Sequence, residues 1–132
     1  DAAEYILCAS QWAPSLSYSD DLFGSAADFA ATFEAEYGYA PPYQAAESAA
    51  AVMVFADAFE RAGSFDRVAV RDALAATDMQ TFYGNILFDE TGKNTAKPMV
   101  LYQVQDGEYV VVAPTAWAAA EVRWPIPPWA DR

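Results

Sequence analysis

Three groups of side chains in this chain of 132 residues could recognise or transform a small molecule. Gln11 and Trp12 present an amide and an aromatic face directly after the apolar run Tyr5 to Ala9. If that run is a buried strand, the pair stands at a strand exit, where open α/β sheets bind ligands. A second reading stands beside it, in which Trp12 only plugs the loop against the helix that follows. Tyr43, Gln44 and Glu47 lie at a proline-rich connector and the first turn of a long helix. There the helix dipole stabilises a carboxylate, which could also meet a ligand ammonium; capping alone accounts for Glu47 equally well. The neighbouring acids Asp20 and Asp21 could act as acid and base in glycoside chemistry, but adjacent loop acids read as solvated charge. The string Asp89-Glu90-Thr91-Gly92-Lys93-Asn94 has the acidity of a calcium loop. Such a loop needs alternating ligands and a Glu at its twelfth position, and Lys93 sits where a ligand would help, so the string reads as a turn.

What is missing narrows the chemistry further. Without any His, the chain cannot build a Ser-His-Asp site, a Cys-His site or most zinc sites by itself. Neither a Gly-x-Gly-x-x-Gly motif nor a Walker motif is present to cradle a phosphate. No catalytic constellation emerges, and no cofactor or metal is expected. The single cysteine, Cys8, cannot form an internal disulfide, and its neighbours Tyr5, Ile6, Leu7 and Ala9 predict a buried strand thiol. No apolar run reaches the roughly 18 residues of a membrane span, and no basic segment followed by an apolar one opens the chain. Starting at Asp1 without Met, the chain is expected to be a processed or excised product, with any signal peptide absent from it.

Hydrophobic residues make up 55% of the chain and charged residues 20%, so it can fold around a core. Size scaling gives a folded surface of roughly 7,000 Å². Seven basic against 19 acidic residues leave a net charge of −12, which repels nucleic acid and anionic lipid. Residues 1–60 hold ten acids and no Lys or Arg, while residues 61–132 hold seven basic and nine acidic residues. The acidic half reads as a solvated face that keeps an extracytoplasmic protein soluble, or as a field favouring cationic groups on a ligand or partner.

The elements that must position these groups follow from pattern. Tyr5 to Ala9 predicts a strand buried on both faces of a parallel sheet. A loop runs to Gly24, and Ser25 with Asp28 has capping-box spacing. Ala26, Phe29, Ala30, Phe33 and Tyr37 then form one apolar stripe, giving a helix over 26–37 that Gly38 stops. Tyr39 to Tyr43 is a rigid connector, because each proline pushes its predecessor to extended backbone. A long helix spans 44–62, apolar on every side from Ala49 to Ala56 until Asp57 and Arg61 form an exposed pair. Ser64 or Asp66 caps a third helix that runs to about Thr77, with Val70, Ala73 and Leu74 inward. Strands follow at 86–88, 99–105 and 108–112, the last two joined through the hairpin signal Asp106-Gly107. The tail from Trp124 to Trp129 has too many prolines for a helix and is expected to lie extended, its tryptophans buried against a surface.

That order of elements resembles a known family. The series Phe29…Phe33…Tyr37-Gly38, Pro42-Tyr43, the long helix closing in Ala62-Gly63-Ser64, Val70-Arg71-Asp72-Ala73-Leu74, Thr81-Phe82-Tyr83-Gly84-Asn85-Ile86 and Phe88-Asp89-Glu90-x-Gly92 is similar to the C-terminal part of type I periplasmic solute-binding proteins of the branched-chain amino acid ABC-transporter family. Met99 to Pro114 continues the likeness. The resemblance implies an α/β fold of two lobes, here present as a C-terminal fragment, that closes on an amino acid, amide or small organic acid and delivers it to an ABC-transporter permease. It implies a periplasmic or extracellular location and no enzymatic activity. Residues 1–38 would be a second-lobe segment, 39–46 a crossover, 47–85 first-lobe helices, 86–114 returning strands and 115–132 a Pro/Trp-rich tail. The missing N-terminal part, or a second copy, would have to cover the faces left open. The aromatic that members place before the long helix falls at Tyr43 or Gln44, and Gln11-Trp12 matches a position facing the cleft. A sensing or enzyme-associated domain of the same fold, or a self-associating structural domain, is the alternative.

Overall fold

The computed structural model describes residues 3–131; Asp1, Ala2 and Arg132, the outermost residues of the two terminal segments, lie outside the described residues. In chain order the elements are β1 (Leu7–Ser10), β2 (Ser19–Asp20), β3 (Gly24–Ser25), α1 (Ala26–Tyr37), α2 (Tyr43–Ala62), α3 (Arg67–Ala75), β4 (Asp78–Thr81), β5 (Gly84–Leu87), β6 (Val100–Gln105) and β7 (Glu108–Ala113), with a short 3₁₀ turn at Trp129–Asp131. The strands form a three-stranded sheet in the order β1-β6-β7 and two small antiparallel pairs, β2-β3 and β4-β5. Helices and strands therefore mix as the α/β expectation requires.

Local chemistry sets several element ends where expected. The Ser25 hydroxyl accepts from the Asp28 N–H while the Asp28 carboxylate accepts from the Ser25 N–H, so α1 opens on a full capping box. Gly38, at φ 77°, ends it in the left-handed conformation. For α3 the choice falls on Asp66, whose carboxylate accepts from the Val68 and Ala69 N–H groups. Asp106 and Gly107 both have positive φ, the two-residue turn that suits the twist of a β6-β7 hairpin.

The core gathers where loop, α1 and the β4-β5 turn meet. Trp12 is 1% exposed, and its ring meets Phe29 edge-on at 6.0 Å and Phe82 at 6.3 Å. Phe29 and Phe82 stack at 4.1 Å, and the Trp12 indole N–H donates to the Phe82 carbonyl. Asp20 is not the solvated charge expected of it. Its carboxylate accepts from the Leu22, Phe23 and Phe82 N–H groups, tying the loop to a residue 62 positions away.

Other expectations are corrected. The run at Tyr5 to Ala9 forms not a doubly buried parallel strand but β1, antiparallel to β6 and exposed along most of its length. Cys8 is accordingly exposed rather than buried. β1 is an edge strand of the three-stranded sheet, so among the described residues no further strand pairs with its outer side. The middle of α2 is buried on one face only, through Ala46, Ala50, Val54 and Ala58, while Val52 is 70% exposed. α2 also begins at Tyr43, within the segment expected as crossover. β4, from Asp78 to Thr81, has no counterpart in the expected strands; it forms because β5 offers it a partner. In the tail, Trp124 and Trp129 are exposed rather than buried. The accessible surface of 8298 Å² exceeds the roughly 7,000 Å² of a compact chain of this mass, in keeping with these open apolar faces.

Candidate functional site

A cavity of about 710 Å³ opens between α2, α3 and the β5-β6 connection. Its wall is apolar, from Ala50, Ala51, Val54 and Phe55 of α2, Leu74 and Ala75 of α3, and Ile86 and Phe88. The same i, i+4 spacing that buries Ala50 and Val54 gives α2 this face. Its polar groups are few, as in pockets that orient small molecules. Gln11, Glu47, Tyr83 and Lys97 all line it, Asn94 adds an amide, and Arg71 and Lys93 contribute positive charge.

Lys97 is the most constrained of these groups. Its Nζ donates to the Gln11 carbonyl oxygen and lies 4.2 Å from the centre of the Tyr83 ring, a cation–π geometry. Its stem lies over Gly84, where a Cβ would come within 2.8 Å of Cε and 2.9 Å of Cγ. Gly84 also has φ +147°, so both its backbone and its neighbour require the missing side chain. Burial lowers the Lys97 pKa to about 8, with the Glu47 carboxylate pulling the other way. Burial, then the charges of Glu47 and Tyr43, pushes the Tyr83 phenol well above the usual range. At neutral pH the site thus holds a carboxylate, an ammonium fixed by a carbonyl and a ring, and a neutral phenol against an apolar wall.

Of the five residues singled out in the sequence, the cavity brings together Gln11 and Glu47. Trp12 faces the aromatic core, as the plug reading has it, and Tyr83 supplies the aromatic surface at the cavity. Tyr43 and Gln44 stand exposed in the first turn of α2, outside the lining, although Tyr43 is near enough to raise the Tyr83 pKa. Because α2 begins at Tyr43, its first turn carries no acid. Glu47 lies past it, where the dipole weakens. Sequence reasoning missed Lys97 and Tyr83. Neither has a local signal, since Lys97 is joined to Gln11 across 86 positions.

The arrangement suits recognition. Among the described residues no group of three or more His, Cys, Asp or Glu side chains could hold a metal ion. The string at Asp89 is the expected turn, its carboxylate accepting from the Thr91 and Lys93 N–H groups. Among the described residues no helix is long and apolar enough to cross a membrane.

Residues 1–108 match the family model described as periplasmic binding protein. Leu/Ile/Val-binding protein homolog 7 of Brucella abortus is 30% identical over 130 residues, covering 93% of this chain and 31% of that protein. A leucine binding protein from Thermotoga maritima is similar in structure, with a TM-score of 0.72 and 29% identity over 84% of this chain and 31% of its own. An ABC transporter substrate-binding protein from Desulfitobacterium hafniense, solved in complex with Leu, has a TM-score of 0.67 and 25% identity, covering 83% of this chain and 31% of that one. The chain spans about a third, 31%, of the length of the curated relatives it matches.

Proposed function

Because this chain belongs to the periplasmic binding protein family, we propose that it is the C-terminal part of the extracytoplasmic solute-binding component of an ABC importer, one that holds an amino acid or similar small polar organic solute between two lobes. The observation that carries the reading is the meeting of Gln11, from the β1 exit, and Glu47, from α2, at one apolar-walled cavity. A ligand there meets an amide, a carboxylate suited to an ammonium, and a dry surface for its carbon skeleton. In this reading 1–38 belongs to one lobe, 39–46 crosses over, 47–85 belongs to the other, 86–114 returns and 115–132 trails along the surface. Tyr43 and Gln44, at the start of α2, close on the solute from the crossover side; Trp12 acts from behind, by fixing the loop that carries Gln11. The solute is then passed to a membrane permease, and no bond is made or broken.

Isothermal calorimetry with a panel of amino acids, amides and small organic acids tests this. Saturable binding of at least one, weakened at least tenfold by Glu47→Ala, is expected from loss of a charged hydrogen bond. Silence across the whole panel would sink the reading.

A second reading is favoured by one observation. Val52, Phe55, Phe65 and Val68 are exposed together on α2, α3 and their connection, with Phe65 86% exposed. Apolar faces of this kind are covered by association, either with the remainder of a longer chain or with a second copy. Native mass spectrometry separates them, since a homo-oligomer without retained solute would favour self-association.

A further inference from the structure

Among the described residues Lys97 is the cavity cation whose side chain donates to a backbone carbonyl, and two segments far apart in the chain meet on it. Its stem is laid over Gly84, its ammonium sits on the Tyr83 ring, and its proton goes to the Gln11 carbonyl. Gln11 directly follows β1, the strand that pairs with β6; Tyr83 lies in the turn between β4 and β5, and Gly84 opens β5. The next residue, Trp12, is already tied to that turn by its indole N–H to the Phe82 carbonyl; Lys97 adds the bond that holds Gln11 itself. We propose that Lys97 is a positioning residue, a clasp that fastens the exit of β1 to the β4-β5 turn and so fixes where Gln11 stands in the cavity. Its consequence for affinity rests on the solute-binding reading above; the clasp itself does not.

The charged and titratable groups that face the ammonium are Glu47 and Tyr43 from α2, Tyr83 from the β4-β5 turn, Arg71 from α3 and Lys93 from the β5-β6 connection. Of the charges among these groups, that of Glu47 favours the charged form. Tyr83 stays neutral through the relevant range because burial raises its pKa. A lysine that deprotonates near pH 8 therefore loses its cation–π contact, its attraction to Glu47 and the charge assistance of its bond to Gln11 within one pH window. The sign for stability is the opposite. The folded pKa lies below the ordinary 10.5, so between about pH 8 and 10.5 the unfolded state binds the extra proton and folding is favoured as pH rises. Looser positioning alongside higher stability is a signature that a merely structural lysine does not give.

The chain has two lysines, Lys93 and Lys97, so ¹³Cε labelling with assignment by Lys97→Met resolves them. The Lys97 signal is expected to titrate near pH 8, with the Gln11 and Trp12 amide signals moving at the same midpoint, and that movement is absent in Lys97→Met. Gln11 and Trp12 amides that do not follow the Lys97 titration at its own midpoint, or that move in the same way in Lys97→Met, overturn the clasp. Calorimetry with L-leucine then reads its consequence. Wild-type affinity is expected to fall about tenfold between pH 7 and 9. Lys97→Arg, charged throughout, should hold the pH 7 affinity across that range, while Lys97→Met should be weak at both ends with an undiminished melting temperature. Any pH dependence shared by both variants belongs to leucine's own amine, and is subtracted. Wild type that binds no leucine at any pH counts against the solute reading for that probe, while the labelled-lysine titration still decides the clasp.

Discussion

The aromatic core around Trp12, Phe29 and Phe82 and the polar seam along β6 stabilise this chain by opposite means. In the core, three rings stack and meet edge-on, with a single indole N–H to satisfy. In the seam, Gln103 is fully buried. Its amide donates to the Tyr5 and Arg123 carbonyls, and its oxygen accepts from the Arg123 N–H and the Gln105 amide. Gln105 then reaches the Glu121 carbonyl, and Arg123 forms two bonds to Asp106. The core needs only volume and apolar surface from its members, so many sequences could supply it. The seam needs each donor matched to an acceptor, because a buried polar group without a partner costs free energy. Among the described residues no buried side-chain polar atom lacks a partner, so the matching is complete.

Substitutions can break that contrast at either end. Phe82→Ala should be the most damaging, at about 3–5 kcal/mol, since it leaves a cavity under two rings; urea unfolding measures it, and a loss below that of Gln103→Leu would show that the core is not the dominant support. Gln103→Leu comes second, at about 1–3 kcal/mol, because it fills the space but orphans the partners of the amide. It should also release the tail, seen as faster proteolysis after residue 121, whereas Phe82→Ala accelerates cleavage throughout. The smallest effect belongs to the exposed end of the seam. Arg123 holds the Asp106 carboxyl below its ordinary value of 3.8, so the pair stabilises above that pH, and its contribution is lost as pH falls through the lower folded value. Arg123→Met should remove that portion of the acid sensitivity and leave stability at pH 7 little changed, consistent with exposed ion pairs. An unchanged acid profile would place the sensitivity elsewhere.

The same division governs what could be read in advance. α1 was legible from its first to its last residue because its stripe, capping box and glycine stop are all local. The Asp106-Gly107 hairpin and the Asp57–Arg61 pair, at 2.6 Å, were legible for that reason too. β4 was not, since Asp78-Met79-Gln80-Thr81 has no alternation and becomes a strand only beside β5. The apolar runs of β1 and of the centre of α2 imply a covering partner, but composition cannot say whether that partner lies among these residues. At the candidate site Gln11 and Glu47 were legible as chemistry at element ends, while Tyr83 and Lys97 looked like ordinary residues in a turn and a loop.

The sequence by itself determined the helices, the hairpin, the lack of a histidine-based or phosphate-cradling site and the strong acidity, all of which depend on residue type and short-range spacing. Only the tertiary structure decided that Asp20 caps the Phe82 backbone, that Trp12 turns to the core, that Cys8 is exposed and that Lys97 reaches Gln11. The physical reason is that burial and hydrogen bonding are fixed by which segments meet, and those partners stand about 60 to 90 positions apart, beyond any local pattern.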